Sequence, residues 1–139
     1  AIQSKLNKLD KYYQNKLQKN PLGIVIEGHE NLPRFGVWLM PDNQNAGMLE
    51  DFLMRIVKKP EECIEFAEQC VAEAQKKDCC TFQSTHRSKA IIHTYLAWQD
   101  EPGNTRELSI KTGKLDSTTD LATNFINWIK RLFVISGLT

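Results

Sequence analysis

The fold class is decided by residues 22–40, which read LGIVIEGHENLPRFGVWLM. Two short apolar runs in this stretch, residues 22–27 and 35–40, are rich in β-branched and aromatic side chains, as strands are. Between them lie Gly28 and Pro33, which favour a turn. Because the connection is short, we predict that the two strands form an antiparallel hairpin. The second run contains almost no polar residue, so we expect a central strand that is covered on both faces.

Most of the remaining chain spaces its apolar side chains as amphipathic helices do. A hairpin is marginally stable by itself, so about five helices must cover it. Strands early and helices late indicate an α+β fold, or an α/β fold whose sheet is incomplete. We place Cys63 and Phe66 on the buried stripe of one helix, and we interpret Trp38, Trp98 and Trp128 as core residues. The predicted helices span residues 2–17, 49–57, 60–77, 86–98 and 119–133, with a further short helix within 105–115.

The composition fits one globular domain, because the 139 residues are 41% hydrophobic and 25% charged. A net charge of +1 is too low for a disordered chain and gives no general attraction to nucleic acid. No apolar run approaches the ~20 residues of a membrane span, so we expect no membrane partner. Residues 1–20 are polar and lysine-rich, so we also expect no secretory leader. The four cysteines have the spacing of neither a disulfide framework nor a zinc site, which predicts thiols and a cytoplasmic protein.

Three carboxylates form the first candidate site. Asp42 lies just past the end of the second predicted strand, where open α/β sheets place their sites. Glu50 and Asp51 follow at the start of the next helix, and a turn in between would bring Asp42 close to one of them. Two or three carboxylates are suitable ligands for Mg²⁺. In the alternative interpretation, Asp42 holds a turn through its own backbone and the other two complement the helix dipole.

A basic cluster at residues 86–89 forms the second candidate site. His86 and Lys89 share one face of the predicted helix with His93. Lys89 or Arg87 at a helix start can bind a phosphate beside backbone N–H groups, and His93 can act as a base or a metal ligand. In the alternative interpretation, the cluster is a solvated basic face with a half-buried histidine.

Two stretches together resemble a known family: residues 35–53, FGVWLMPDNQNAGMLEDFL, and residues 85–103, THRSKAIIHTYLAWQDEPG. They are similar to an uncharacterised bacterial family with a Toprim-like fold, related to the Toprim nuclease domains of OLD-type proteins. The resemblance implies a single Toprim-like domain over residues 1–133, followed by a tail at 134–139. Toprim domains bind Mg²⁺ through an early glutamate and an Asp-x-Asp motif, and this chain contains no Asp-x-Asp. The resemblance therefore implies the carboxyl-terminal part of such a domain, without its amino-terminal strands, or a naturally shortened member of the family.

These features lead to two functional hypotheses. In the first, the chain is a Mg²⁺-dependent nuclease or phosphotransfer module that is incomplete and inactive alone, with nucleic acid as its substrate or partner. Asp42, Glu50 and Asp51 would hold the metal, and the resemblance matches Lys89 to a lysine near the scissile phosphate, with His86 and Arg87 binding phosphate. In the second, it is a non-catalytic interaction module that partners an ATPase or self-associates as a homodimer through an exposed sheet edge.

Overall fold

The computed structural model describes residues 10–58, 62–77, 80–99, 102, 111 and 113–133. Within these residues the chain forms a two-stranded sheet and five α-helices, so it is the predicted mixture of a small sheet and covering helices. The predicted tail at 134–139, the start of the predicted first helix and most of the segment 105–115 that was predicted to hold a short helix lie outside them. The elements are α1 (Lys11–Gln14), β1 (Ile24–Ile26), β2 (Phe35–Val37), α2 (Leu49–Arg55), α3 (Glu62–Lys76), a 3₁₀ turn (Ser84–His86), α4 (Arg87–Ala97) and α5 (Asp120–Phe133).

The predicted antiparallel hairpin is confirmed. Strands β1 and β2 pair in the register Ile24↔Val37, Val25↔Gly36 and Ile26↔Phe35. The prediction that the second strand is central and covered on both faces was wrong, because β2 has a neighbour on one side in the described sheet and is half-buried along its length. Helix α5 comes close to the hairpin at Gly36, since a Cβ there would lie 2.8 Å from a methyl group of Leu132. The lack of a side chain at Gly36 thus allows α5 to pack on one face of the hairpin.

The main core lies among α2, α3 and α4. Helix α4 runs through its centre and contacts both of the other helices. Leu115 closes the core from the segment before α5 and forms an isolated β-bridge with Val57. The cluster consists of Phe52, Leu53, Ile56, Val57, Ala67, Val71, Ile91, Ile92, Tyr95, Leu96, Leu115 and Ala122.

Three residues predicted to be buried lie at the surface instead. The buried stripe of α3 is narrow and consists of Ala67 and Val71, so Phe66 is 57% exposed and Cys63 is also exposed. Trp98 follows the last turn of α4 and is 44% exposed, so its interpretation as core was wrong. No described helix has both the length and the apolar character needed to cross a bilayer.

Candidate functional site

Asp42 is a turn-forming residue whose carboxylate is fully engaged. Its Oδ1 accepts the backbone N–H groups of Gln44 and Asn45, at 3.0 and 2.8 Å. Its Oδ2 accepts the side-chain amide of Asn45 at 2.7 Å and the guanidinium of Arg55 at 2.6 Å. The backbone and side-chain N–H groups of Asn45 hold the pKa of Asp42 well below its usual range, with smaller effects from Gln44 and Arg55. The geometry matches the turn interpretation of Asp42.

Asp51 connects the starts of two helices. Its Oδ2 accepts the backbone N–H of Met48, which precedes α2, at 2.7 Å. Its Oδ1 accepts the hydroxyl of Ser88, in the first turn of α4, at 2.5 Å. Both oxygens therefore serve the structure: one caps α2, and the other fixes α4 against it.

Glu50 is placed differently from the other two carboxylates. It is 5% exposed, and its Oε1 lies 3.6 Å from Nζ of Lys89, whose side chain is 50% exposed. Among the described residues, the other buried polar side chain is Asn43. Asn43 is explained by its turn, since it accepts the N–H of Leu39 and donates to the carbonyl of Pro21. Glu50 lies in the first turn of α2, and its ion pair reaches the surface through a half-exposed lysine.

The remaining sequence candidates lie beside this ion pair. His86 and Arg87 are both exposed at the amino-terminal end of α4, two or three residues before Lys89. Glu50 and Lys89 each lie in the first turn of their helices, α2 and α4, which pack against each other. The structure thus brings Lys89 and Glu50 together at an end of α4 that also carries exposed basic residues.

The three carboxylates do not form a common metal site. Over the described part of the chain, no group of three or more His, Cys, Asp or Glu side chains is arranged to hold a metal ion. Asp42 and Asp51 have donors on both carboxylate oxygens. The site therefore contains one buried carboxylate, one half-exposed lysine and exposed basic residues beside them.

A protein-family model matches residues 1–134, and its description is "Protein of unknown function (DUF3226)". The chain belongs to the DUF3226 family. The match covers every candidate residue described above. No curated protein and no solved structure matches the chain.

In this DUF3226 domain, sequence reasoning missed the partners that occupy two of the carboxylates. Arg55 was not considered for Asp42, although it lies thirteen residues further along the chain and at the end of the next helix. Ser88 stands inside the basic cluster, but nothing in the local pattern connects it with Asp51, 37 residues earlier. Only the packing of α4 on α2 brings these two side chains together.

Proposed function

We propose that this domain binds a phosphate-bearing ligand, together with Mg²⁺, where the first turns of α2 and α4 meet. The proposal rests on one observation, the pairing of the buried Glu50 with the half-exposed Lys89. In this proposal Glu50 holds the metal and Lys89 binds phosphate, while Arg87 and His86 attract the anion. Asp42 and Asp51 support the site as structural residues.

The energetic argument starts from the burial of Glu50. Removing a carboxylate from water is costly, and an ion pair does not reliably repay that cost. Among the described carboxylates Glu50 is the buried one, and it is paired with a half-exposed cation, which makes it our candidate metal ligand. Lys89 connects the buried Glu50 with the protein surface, because the side chain of Lys89 is half exposed.

The chemistry fits Mg²⁺ with phosphate better than Mg²⁺ alone. Proteins usually hold Mg²⁺ through one or two carboxylates, several waters and the phosphates of the substrate. A single carboxylate at Glu50 is then sufficient only when a phosphate completes the coordination. In the free domain the ammonium of Lys89 occupies the place beside Glu50, and its flexible stem lets it turn toward the incoming phosphate.

In this proposal, the domain is a Toprim-like, metal-dependent nuclease or phosphotransfer module that acts in the cytoplasm. It is supported by the two stretches that resemble that family, residues 35–53 and 85–103, since they contain Glu50 and Lys89. Two-metal cleavage of a phosphodiester requires more acidic ligands than Glu50 supplies. We therefore propose that this chain binds nucleic acid but does not cleave it alone.

The test is the binding of a fluorescently labelled single-stranded oligonucleotide, followed by anisotropy with and without millimolar Mg²⁺. We expect Mg²⁺ to strengthen binding to the parent chain and to have no effect on Glu50→Gln. Lys89→Met should weaken binding in both conditions. The matched controls are Glu68→Gln and Lys11→Met, which remove exposed charges elsewhere, and both should bind as the parent does. A parent chain that ignores the oligonucleotide at low salt, or a Glu50→Gln variant that keeps the full Mg²⁺ effect, would overturn the proposal.

A second candidate function, an interaction module, is favoured by the sheet. The outer side of β1 is contacted by α5, because Trp128 donates to the carbonyl of Ile24 at 2.9 Å and Arg131 donates to that of Leu22. In the described sheet, β2 has a strand neighbour on one side, and an open edge can pair with another chain. That chain would be a second copy or an ATPase partner. Light scattering should show a dimer that Val37→Lys converts to a monomer, and a monomeric parent chain would exclude self-association.

A further inference from the structure

The surface where α3 meets the end of α4 carries two exposed aromatic rings in contact. Phe66 is 57% exposed and Trp98 is 44% exposed, and their ring centroids lie 5.4 Å apart with 33° between the planes. The other described aromatic contacts join rings of the hairpin, α1, α2 and α5. Touching aromatic rings that remain in water are typical of an interaction surface.

This ring pair lies at the acidic end of the α3–α4 helix pair. Phe66 lies in the second turn of α3, and Trp98 directly follows the last turn of α4. From Glu62 to Glu73, α3 carries four glutamates and no lysine or arginine. Glu62 and Glu65 lie in the first turn of α3, where a negative charge interacts favourably with the helix dipole. Glu68 and Glu73 lie beyond the first turn, where that interaction is weak.

The basic residues of the same helix pair lie at its other end. Lys76 is in the last turn of α3, whereas Arg87 and Lys89 are in the first turn of α4. Eleven residues separate Arg87 from Trp98, which is roughly 16 Å along a helix axis at 1.5 Å per residue. Between these two ends, α4 carries the exposed His93, and Glu73 of α3 is paired with Lys76 at 2.7 Å. The charged side chains that flank Phe66 along α3 are therefore acidic, namely Glu62, Glu65 and Glu68, although the whole chain has a net charge of +1.

We propose that Phe66 and Trp98 form the docking site for a basic amphipathic segment of a partner protein. Apolar side chains of that segment would cover the ring pair, and its lysine or arginine side chains would contact the ring faces and the glutamates of α3. Cations are attracted to the faces of Trp and Phe. Arginine is enriched at protein interfaces. An acidic segment or a lipid surface of negative charge would be repelled. This proposal does not depend on the phosphate site, which lies at the opposite end of α4.

The probe is a labelled synthetic amphipathic helix of leucine and lysine, compared with a helix in which glutamate replaces every lysine. We expect the parent chain to bind the lysine helix in a salt-dependent manner and to ignore the glutamate helix. The double variant Phe66→Gln/Trp98→Gln should bind the lysine helix at least about tenfold more weakly, a loss of about 1.4 kcal/mol. The matched control Leu22→Gln/Ile126→Gln removes two similarly exposed apolar side chains elsewhere and should bind as the parent does.

Cys63 gives a second readout that needs no substitution of the rings. It is exposed one turn before Phe66. Its alkylation, followed by peptide mass spectrometry, should slow when the lysine helix is bound, whereas alkylation of Cys80 should not change. This measurement keeps the proposal testable if the double variant does not fold. Equal binding of both helices, equal binding by the double variant, or a parent dimer that the double variant abolishes would overturn the proposal.

Discussion

In the helical half of the molecule, formed by α2, α3 and α4, apolar side chains are packed out of contact with water. Ala67, Ile91, Ile92 and Tyr95 are all 0% exposed. In the hairpin half, formed by β1, β2, α1 and α5, several side chains donate hydrogen bonds to backbone carbonyls. The two halves differ in what stabilises them: apolar burial dominates in the first, whereas directed hydrogen bonds add to the aromatic contacts in the second.

The hairpin needs those hydrogen bonds because its own ladder is short. Two paired strands of three residues are marginal in water. The hydroxyl of Tyr12 donates to the carbonyl of Glu27 at 3.1 Å, and the hydroxyl of Tyr13 donates to that of Pro33. Trp128 and Arg131 hold β1 from the side of α5. The comparison predicts that a given apolar truncation costs more in the helical half, and that loss of a single hydrogen bond matters more in the hairpin half.

The largest expected effect is the truncation of Ile91 in the helical core. Ile91→Ala leaves a cavity among fully buried neighbours and should lower the free energy of unfolding by about 4 kcal/mol. Ile26→Ala makes the same chemical change in the hairpin, where Ile26 is 4% exposed but lies outside the main cluster. We expect it to cost about 2 kcal/mol, because the hairpin can collapse onto the smaller side chain. Urea unfolding followed by circular dichroism measures both, and equal losses would contradict the comparison.

The next effect concerns the indole of Trp128. Trp128→Phe keeps an aromatic ring beside Trp38 and Phe125 but removes the donor to Ile24. We expect a loss of about 1–2 kcal/mol, because the carbonyl loses its partner. Hydrogen exchange should accelerate in β1 and remain unchanged in α4. Trp98→Phe is the matched control, since the exposed Trp98 has no comparable role, and a similar loss there would refute the hairpin argument.

A third and smaller effect tests the junction between α2 and α4. Ser88→Ala removes the donor to Asp51 but leaves that carboxylate its bond to the N–H of Met48. We expect the free energy of unfolding to fall by about 1 kcal/mol. Ser84→Ala, in the exposed 3₁₀ turn before α4, should change it by less than about 0.5 kcal/mol. If the two variants are equally stable, the bond between Asp51 and Ser88 does not hold α4 in place.

Periodic patterns in the sequence predicted the local elements well, because helix and strand spacing depend on neighbouring residues. The hairpin and the helices α2, α3, α4 and α5 were all expected near their observed positions. Burial was predicted less well, as Phe66 shows. An apolar residue at a helix position next to the buried stripe is predicted to lie in the core. Whether another helix covers it depends on the distance to that helix, which the local sequence pattern does not contain.

The candidate site was predictable only as a set of residue types. Lys89 and Glu50 were both selected, but for separate clusters, and their pairing depends on the packing of α4 against α2. Asp42 matched its alternative interpretation because an Asx turn is a local feature. The Mg²⁺ site remains a prediction.

The smallest effect is the pH dependence contributed by Asp42, at the junction of the two halves. Hydrogen bonds from Asn45 lower the pKa of Asp42 in the folded chain relative to the unfolded chain. The unfolded state therefore takes up a proton first, so the contribution is complete above the ordinary pKa near 3.9 and is lost as the pH falls through the lower, folded pKa. Asp42→Asn should unfold in urea with a shallower dependence on pH below about pH 5, whereas Glu68→Gln, which removes an exposed charge of α3, should keep the slope of the parent chain. An unchanged slope in Asp42→Asn would mean that the turn is equally stable with a protonated carboxyl, and that the ionised carboxylate of Asp42 does not stabilise the junction of the two halves.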